Sequence, residues 1–223
     1  MTEYAEVARA ESERGEVLLR RRITEHTADV LELRVNGVFV MDTEQTSSEI
    51  ALAAAALELV AEPQDVVVGG LGLGFTTQRV LADSRVGRVT VVEIEEALIG
   101  WMRDGTVPHG PALLADRRVQ MVNADISMTI AEATSNYDLV LLDVDNGPGY
   151  LVHEHNVGLY ENDFLASAWR ILNPGGALVV WSANAAPVLA AAMERVFGNC
   201  MEHRYDVLLQ QRPEQYLLYL SRA

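Results

Sequence analysis

The stretch VVVGGLGLGFTTQRV, beginning at Val66, holds the first residues whose types and spacing can do chemistry. Three β-branched residues run into Gly69, Gly70, Gly72 and Gly74, and a helical pattern follows. Glycine exposes backbone N–H groups and lets a ligand approach the main chain. A loop of this kind, between a strand end and a helix start, is where doubly wound folds hold nucleotide-like ligands. Glu93 closes the next strand, about twenty residues on, where such folds set an acid against ribose hydroxyls. A third strand ends in Asn123-Ala124-Asp125. Asp125, with Ala124 beside it, can accept from the exocyclic amine of adenine, or it can cap the helix that follows. The fourth strand runs into LLDVDNGPGYL, with Asp143, Asp145 and Asn146 at its end. Acids there face the ligand crevice and can bind an amine or take a proton from a nucleophile. For Asp145, an Asx-type turn with Asn146 and Gly147 is an equal reading.

These residues need a scaffold of alternating strands and helices, and the sequence supplies one. DVVVGG, RVTVVEI, VQMVNAD, YDLVLLDVD and ALVVWSA read as five strands. Helical patterns fall between them: through Arg79–Ala82, in EEALIGWMRD and ISMTIAEA, and in ENDFLASAWRIL, which stops at Asn173-Pro174-Gly175-Gly176. APVLAAAMERVF reads as a last helix, and HRYDVLLQQ with QYLLYLSR as a closing antiparallel pair. The expected class is α/β, a mostly parallel sheet covered on both faces. Upstream, residues 16–22 and 28–35 have β character, and Asn36-Gly37 signals a hairpin turn into VFVMD. The expected division is therefore a small β element over residues 1–45 and a Rossmann-like domain over 46–223. SSEIALAAAALELVAE reads as the joining helix, capped by Ser47 or Ser48.

Composition narrows the partners. The formal net charge is −15, which repels nucleic acid and favours cations. No apolar run approaches the roughly 18 residues needed to cross a bilayer, and the charged N-terminus has no secretory h-region. Cys200 is the single cysteine and has no activating neighbour in FGNCMEH, so no internal disulfide forms and a reducing cytoplasm is expected. Every basic residue is arginine, a pattern of composition from which nothing about the site follows. His153 and His155 are too local to make a metal site without a partner cluster, and read instead as part of a loop over the site. His26, His109 and His203 stand apart, and Trp101, Trp169 and Trp181 fall in packing patterns. No metal is expected.

From about residue 11 to residue 183 the chain resembles the spermidine synthase family, the polyamine aminopropyltransferases. ESERGEVLL resembles the family's entry strand, and LRVNGVFVMDTEQTSSEIALA its hairpin and following helix. VVVGGLGLG stands where the family has Gly-Gly-Gly-Asp-Gly-Gly, VTVVEIEEALI matches the ribose strand, and VNADI the adenine segment. YDLVLLDVDNGPG resembles the family's substrate-covering Asp-x-x-Asp-Pro loop, and RILNPGGALVVW is shared with the wider methyltransferase superfamily. The resemblance implies a Rossmann-like fold of the S-adenosylmethionine-dependent type and a homodimer. It implies S-adenosylmethionine or its decarboxylated form as donor, on Gly70, Gly72, Gly74, Glu93, Ala124 and Asp125. Asp143, Asp145 and Asn146 fall at the reacting end.

The departures bear on the acceptor. Gly72 replaces the family's loop acid, Arg14-Gly15 its Tyr-Gln pair, and Ser47-Ser48 the Tyr-His pair before the helix glutamate, here Glu49. Asn146 and Gly147 replace the second Asp and the Pro, while Asp143 matches the first Asp, which the family uses on the attacking amine. The expectation is a transferase that alkylates a small-molecule nucleophile other than putrescine, with Asp143 as base or amine anchor. Arg14 is placed to meet a donor carboxylate if its strand reaches the pocket. The alternatives are a small-molecule methyltransferase and a non-catalytic nucleoside-binding subunit.

Overall fold

The computed structural model describes residues 2–24, 28–149, 151, 153–209 and 212–223. His26 and the side chain of His155 lie outside the described residues. At the N-terminus four antiparallel strands follow one another in space: β1 (Thr2–Ser12), β2 (Gly15–Thr24), β3 (Val30–Val35) and β4 (Val38–Asp42). The Asn36-Gly37 turn between β3 and β4 has φ of 51° and 76°, the left-handed pair a tight hairpin requires. The expected small β element is thus a full sheet, and β1 is the strand the sequence does not announce. It pairs on one side only and is mostly exposed, so its sequence carries no clear apolar alternation.

The second sheet has seven strands in the order β10-β11-β9-β8-β5-β6-β7. β5 (Asp65–Gly69), β6 (Arg88–Glu93), β7 (Val119–Asn123), β8 (Tyr137–Leu142) and β9 (Leu172–Ser182) run parallel. β10 (Met201–Leu209) and β11 (Arg212–Arg222) form the expected antiparallel pair, with β11 antiparallel to β9. Val66 and Val68 pack into one core layer and Val67 into the other, all essentially without exposure. Burial on both faces explains the continuous apolar run that precedes the glycines. The chain winds outward from β5 to β7 and then returns to β8, which makes the β5/β8 boundary the switch point where crevices open.

Among the described residues seven α-helices flank the sheet: α1 (Ser47–Leu59), α2 (Phe75–Leu81), α3 (Glu96–Asp104), α4 (Gly110–Leu114), α5 (Ile126–Glu132), α6 (Asn162–Arg170) and α7 (Pro187–Phe197). The α1 cap differs from expectation. Its first residue is preceded by Thr46 with no side-chain cap, because Ser47 Oγ donates to Gln45 Oε1 and Ser48 Oγ to Glu49 Oε2. The other end of α1 is held by Arg85, which donates to the carbonyls of Leu57 and Val60 that no helical N–H reaches. Asn173-Pro174-Gly175-Gly176, read as a turn, lies inside β9. The irregular residues sit at a register shift against β8, where Pro174 forfeits no ladder bond. No helix of the described residues is long and apolar enough to cross a membrane.

Candidate active site

Gly70, Gly72 and Gly74 all take positive φ, at 91°, 50° and 86°. All three are also confined by their neighbours, Gly72 by the Met41 sulfur. A Cβ on Gly70 would collide with the carbonyl oxygen of Asp143, and one on Gly74 would come within 2.6 Å of Leu113. The loop is tied down by Gly70 N–H donating to Val92 O at 2.9 Å. Glu93, 7% exposed at the end of β6, accepts from Leu71 N–H at 2.9 Å and from Glu95 N–H at 2.8 Å. Burial raises its pKa while those two N–H groups oppose the rise. Glu93 therefore shapes the glycine loop as well as facing the space beside it. Asp125 caps α5, its Oδ1 accepting from Ser127 N–H at 2.7 Å, and it also lines the same space.

That space is a cavity between the N-terminal sheet and the ends of β5, β6, β7 and β8. Gly70, Gly72, Glu93, Ala124, Asp125, Asp143 and Asp145 all line it, and Val17, Leu33, Val35 and Val40 of the N-terminal sheet form its roof. Gly74 lies behind the loop as the residue before α2. His153, Asn156 and Leu159, in and beside the 3₁₀ segment Glu154–Tyr160, close one side. Among the described residues no cluster of His, Cys, Asp and Glu is arranged to hold a metal. Arg14 does not reach the reacting end. Its guanidinium pairs with Glu95 at 2.8 Å and donates to Ile94 O, so it braces the cavity near Glu93.

A second cavity adjoins the first and shares Val40, Gly72, Asp143 and Asp145 with it. Its other walls include Ser48 and Glu49 from α1, Asn146, Trp181, Leu209 and Tyr216. Asp143 follows β8, its N–H bonded to Gly69 O, and its Oδ2 accepts from Thr76 Oγ1. Burial pushes Asp143 up to about 6, with the Thr76 hydroxyl holding it down. Glu49, 8% exposed, is pushed up to about 7 by burial and by the Asp143 charge. Asp145 sits at φ 65° and accepts from Asn146 N–H and from Asn156 Nδ2, so the turn reading describes its geometry. Asn146 donates to Phe39 O at 3.4 Å, tying the loop to the N-terminal sheet.

The sequence alone gives Met41, Trp181 and Tyr216 no place in the site, and names Glu49 only as the helix glutamate of the resembled family. Glu49 sits in the first turn of a helix, where an acid is ordinary. Met41 fills the space above Gly72: its Sδ accepts from Leu73 N–H at 3.1 Å and stands 2.6 Å from where a Gly72 Cβ would be. Trp101 and Trp181 are buried core residues as expected, Trp181 also lining the second cavity, but Trp169 is half exposed.

The parallel-rich sheet, the glycine loop at its switch point and the acids at successive strand ends define a Rossmann-like fold of the methyltransferase type. Two spermidine synthases share it. One solved in complex with the transition-state analogue AdoDATO superposes with a TM-score of 0.80 at 16% identity, over 97% of this chain and 73% of that one. The enzyme from Thermotoga maritima gives 0.78 at 15%, over 97% and 72%. Residues 44–202 match the family model described as the spermine/spermidine synthase domain, and the chain belongs to that family. Polyamine aminopropyltransferase 2 of Pseudomonas aeruginosa is 29% identical over 123 residues, 53% of this chain and 33% of that protein. The polyamine aminopropyltransferase of Saccharolobus solfataricus is 26% identical over 140 residues, 61% of this chain and 44% of that protein. The chain thus spans a third to under half the length of these curated relatives.

Proposed function

We propose that this chain transfers the aminopropyl group of decarboxylated S-adenosylmethionine to a small amine. The observation that carries the proposal is the junction of two cavities at Gly72, Asp143 and Asp145. The larger cavity offers the glycine loop, Glu93, Ala124 and Asp125 to an adenosyl group. The smaller offers buried carboxylates to an amine. Family membership and the names of the matched aminopropyltransferases support the same reading.

In this reading the amine nitrogen attacks the carbon bonded to the sulfonium sulfur. A C–N bond forms, the C–S bond breaks with its electron pair left on sulfur, and methylthioadenosine departs. The proton released from nitrogen passes to Asp143. Holding nitrogen, carbon and sulfur in line supplies much of the rate, and the carboxylate base a further factor of about 10²–10⁴. Putrescine is proposed to be a poor acceptor, and the cytoplasm the site of action.

A second reading is methyl transfer from intact S-adenosylmethionine. It is favoured by Gly72 and the Met41 thioether above it, which set no repelling acid where a donor carboxylate would lie. Mass spectrometry of products from the purified chain with either donor and an amine pool separates the two. Methylthioadenosine with an aminopropylated amine supports the proposal. S-adenosylhomocysteine with a methylated product overturns it in favour of methyl transfer, and binding without turnover in favour of a non-catalytic subunit.

A further inference from the structure

We infer that the acceptor cavity selects a monoamine with an apolar or aromatic body over a diamine, and that Glu49 is the second carboxylate holding its ammonium. The inference rests on the transfer reading above. Glu49 is buried on α1 and its side chain is bonded by Ser48, while Asp143 is bonded by Thr76. Both are neutral hydroxyl donors, and among the described residues no arginine or histidine pairs with either acid. Buried carboxylates are costly unless matched by a cation. Two of them facing one cavity with no protein cation call for a cation on the ligand.

The number of cations follows from the placement. Glu49 and Asp143 line the same small cavity and each feels the other's charge, so the pair gathers one ammonium between them rather than two held apart. The other groups acting on Glu49 are Asp42 and Tyr216, neither of them cationic. Asp145 has both oxygens engaged, on Asn146 N–H and Asn156 Nδ2. The wall beyond the acids is mostly aromatic and aliphatic, with Gln45 and Asn146 its polar members and, among the described residues, no further free carboxylate. The Trp181 and Tyr216 rings meet with centroids 4.9 Å apart at 60°, and Leu209 joins them. A second ammonium placed there gives up its hydration for ring faces, which return only part of it. An alkyl or aryl body gains by leaving water. The indole N–H of Trp181 is buried and has no partner among the described residues, so a hydroxyl or carbonyl on that body gains a donor if the ring turns toward it.

Calorimetry of 2-phenylethylamine and of putrescine, titrated into the full chain saturated with methylthioadenosine, tests this. Phenylethylamine is expected to bind at least about tenfold tighter than putrescine, a gap of about 1.4 kcal/mol. Glu49→Gln is expected to weaken it at least tenfold with methylthioadenosine affinity unchanged, and Trp181→Ala to narrow the preference. Putrescine binding as tightly or tighter overturns the inference, as does unaltered phenylethylamine affinity in Glu49→Gln. If methylthioadenosine itself fails to bind, the donor reading falls. The same amine titrations on the ligand-free chain then still decide the acceptor inference.

Discussion

Replacing Glu49 by Gln should make the protein more stable at alkaline pH while damaging the site. The carboxyl is 8% exposed and its pKa is raised from 4.5 to about 7, first by burial and then by Asp143. A carboxyl whose folded pKa is raised binds its proton more tightly in the folded state. It therefore contributes full stability below about 4.5, and that stability is lost as the pH climbs through about 7. At about 1.4 kcal/mol per unit, the whole displacement is worth up to about 3 kcal/mol at pH 8. Glutamine keeps an oxygen for the Ser48 hydroxyl, fills the same volume and carries no charge. The comparison is urea unfolding of wild type and Glu49→Gln at pH 5 and pH 8. The variant should be more stable by about 2–3 kcal/mol at pH 8, and the gain should shrink below about 1 kcal/mol at pH 5. A variant no more stable than wild type at pH 8, or a difference independent of pH, would refute the claim that this acid is held buried without a cation. A gain paired with lost amine binding would be the stability–activity conflict expected of a group kept for function.

Three further outcomes follow. Glu93→Ala should lose methylthioadenosine affinity worth roughly 1.5–3 kcal/mol, as for a charge-assisted hydrogen bond, with extra loosening of the loop because Leu71 N–H loses its partner; unchanged affinity in calorimetry would remove Glu93 from the ribose. Gly70→Ala should lose donor binding and roughly 1–3 kcal/mol of stability, since its φ of 91° is strained for alanine and the new Cβ meets the Asp143 carbonyl; a thermal scan and calorimetry showing a wild-type protein would contradict the loop geometry. The chain should be a homodimer, because β1 is a long exposed edge strand that proteins usually cover; light scattering giving a monomer at micromolar concentration would contradict it.

Much of the architecture was legible because its signals are local. The buried run before Gly69 and the acids closing β6, β7 and β8 mark strand ends that face the crevice, and of the residues singled out Gly70, Gly72, Glu93, Ala124, Asp125, Asp143 and Asp145 line the larger cavity, while Gly74 and Asn146 do not. The second cavity was not legible, because its walls come from distant parts of the chain. Glu49 from α1, Asp143 after β8 and Tyr216 on β11 meet only once the sheets are assembled. Met41 illustrates the same limit: nothing in VFVMD shows that its sulfur covers Gly72. Arg14 likewise has a partner the sequence does not show, Glu95, which its guanidinium meets at 2.8 Å. β1 escaped notice because an edge strand needs no apolar face to earn its pairing with β2.

The central claim, that donor and acceptor meet at Asp143, is tested most directly by methylthioadenosine formation from decarboxylated S-adenosylmethionine and a small amine. Wild type and Asp143→Asn should bind methylthioadenosine equally in calorimetry. Wild type should form product, and Asp143→Asn should form it at least about 100-fold more slowly, the usual loss when a general base is removed. Undiminished turnover in Asp143→Asn, or no methylthioadenosine formed by the wild type with any amine, would contradict the account.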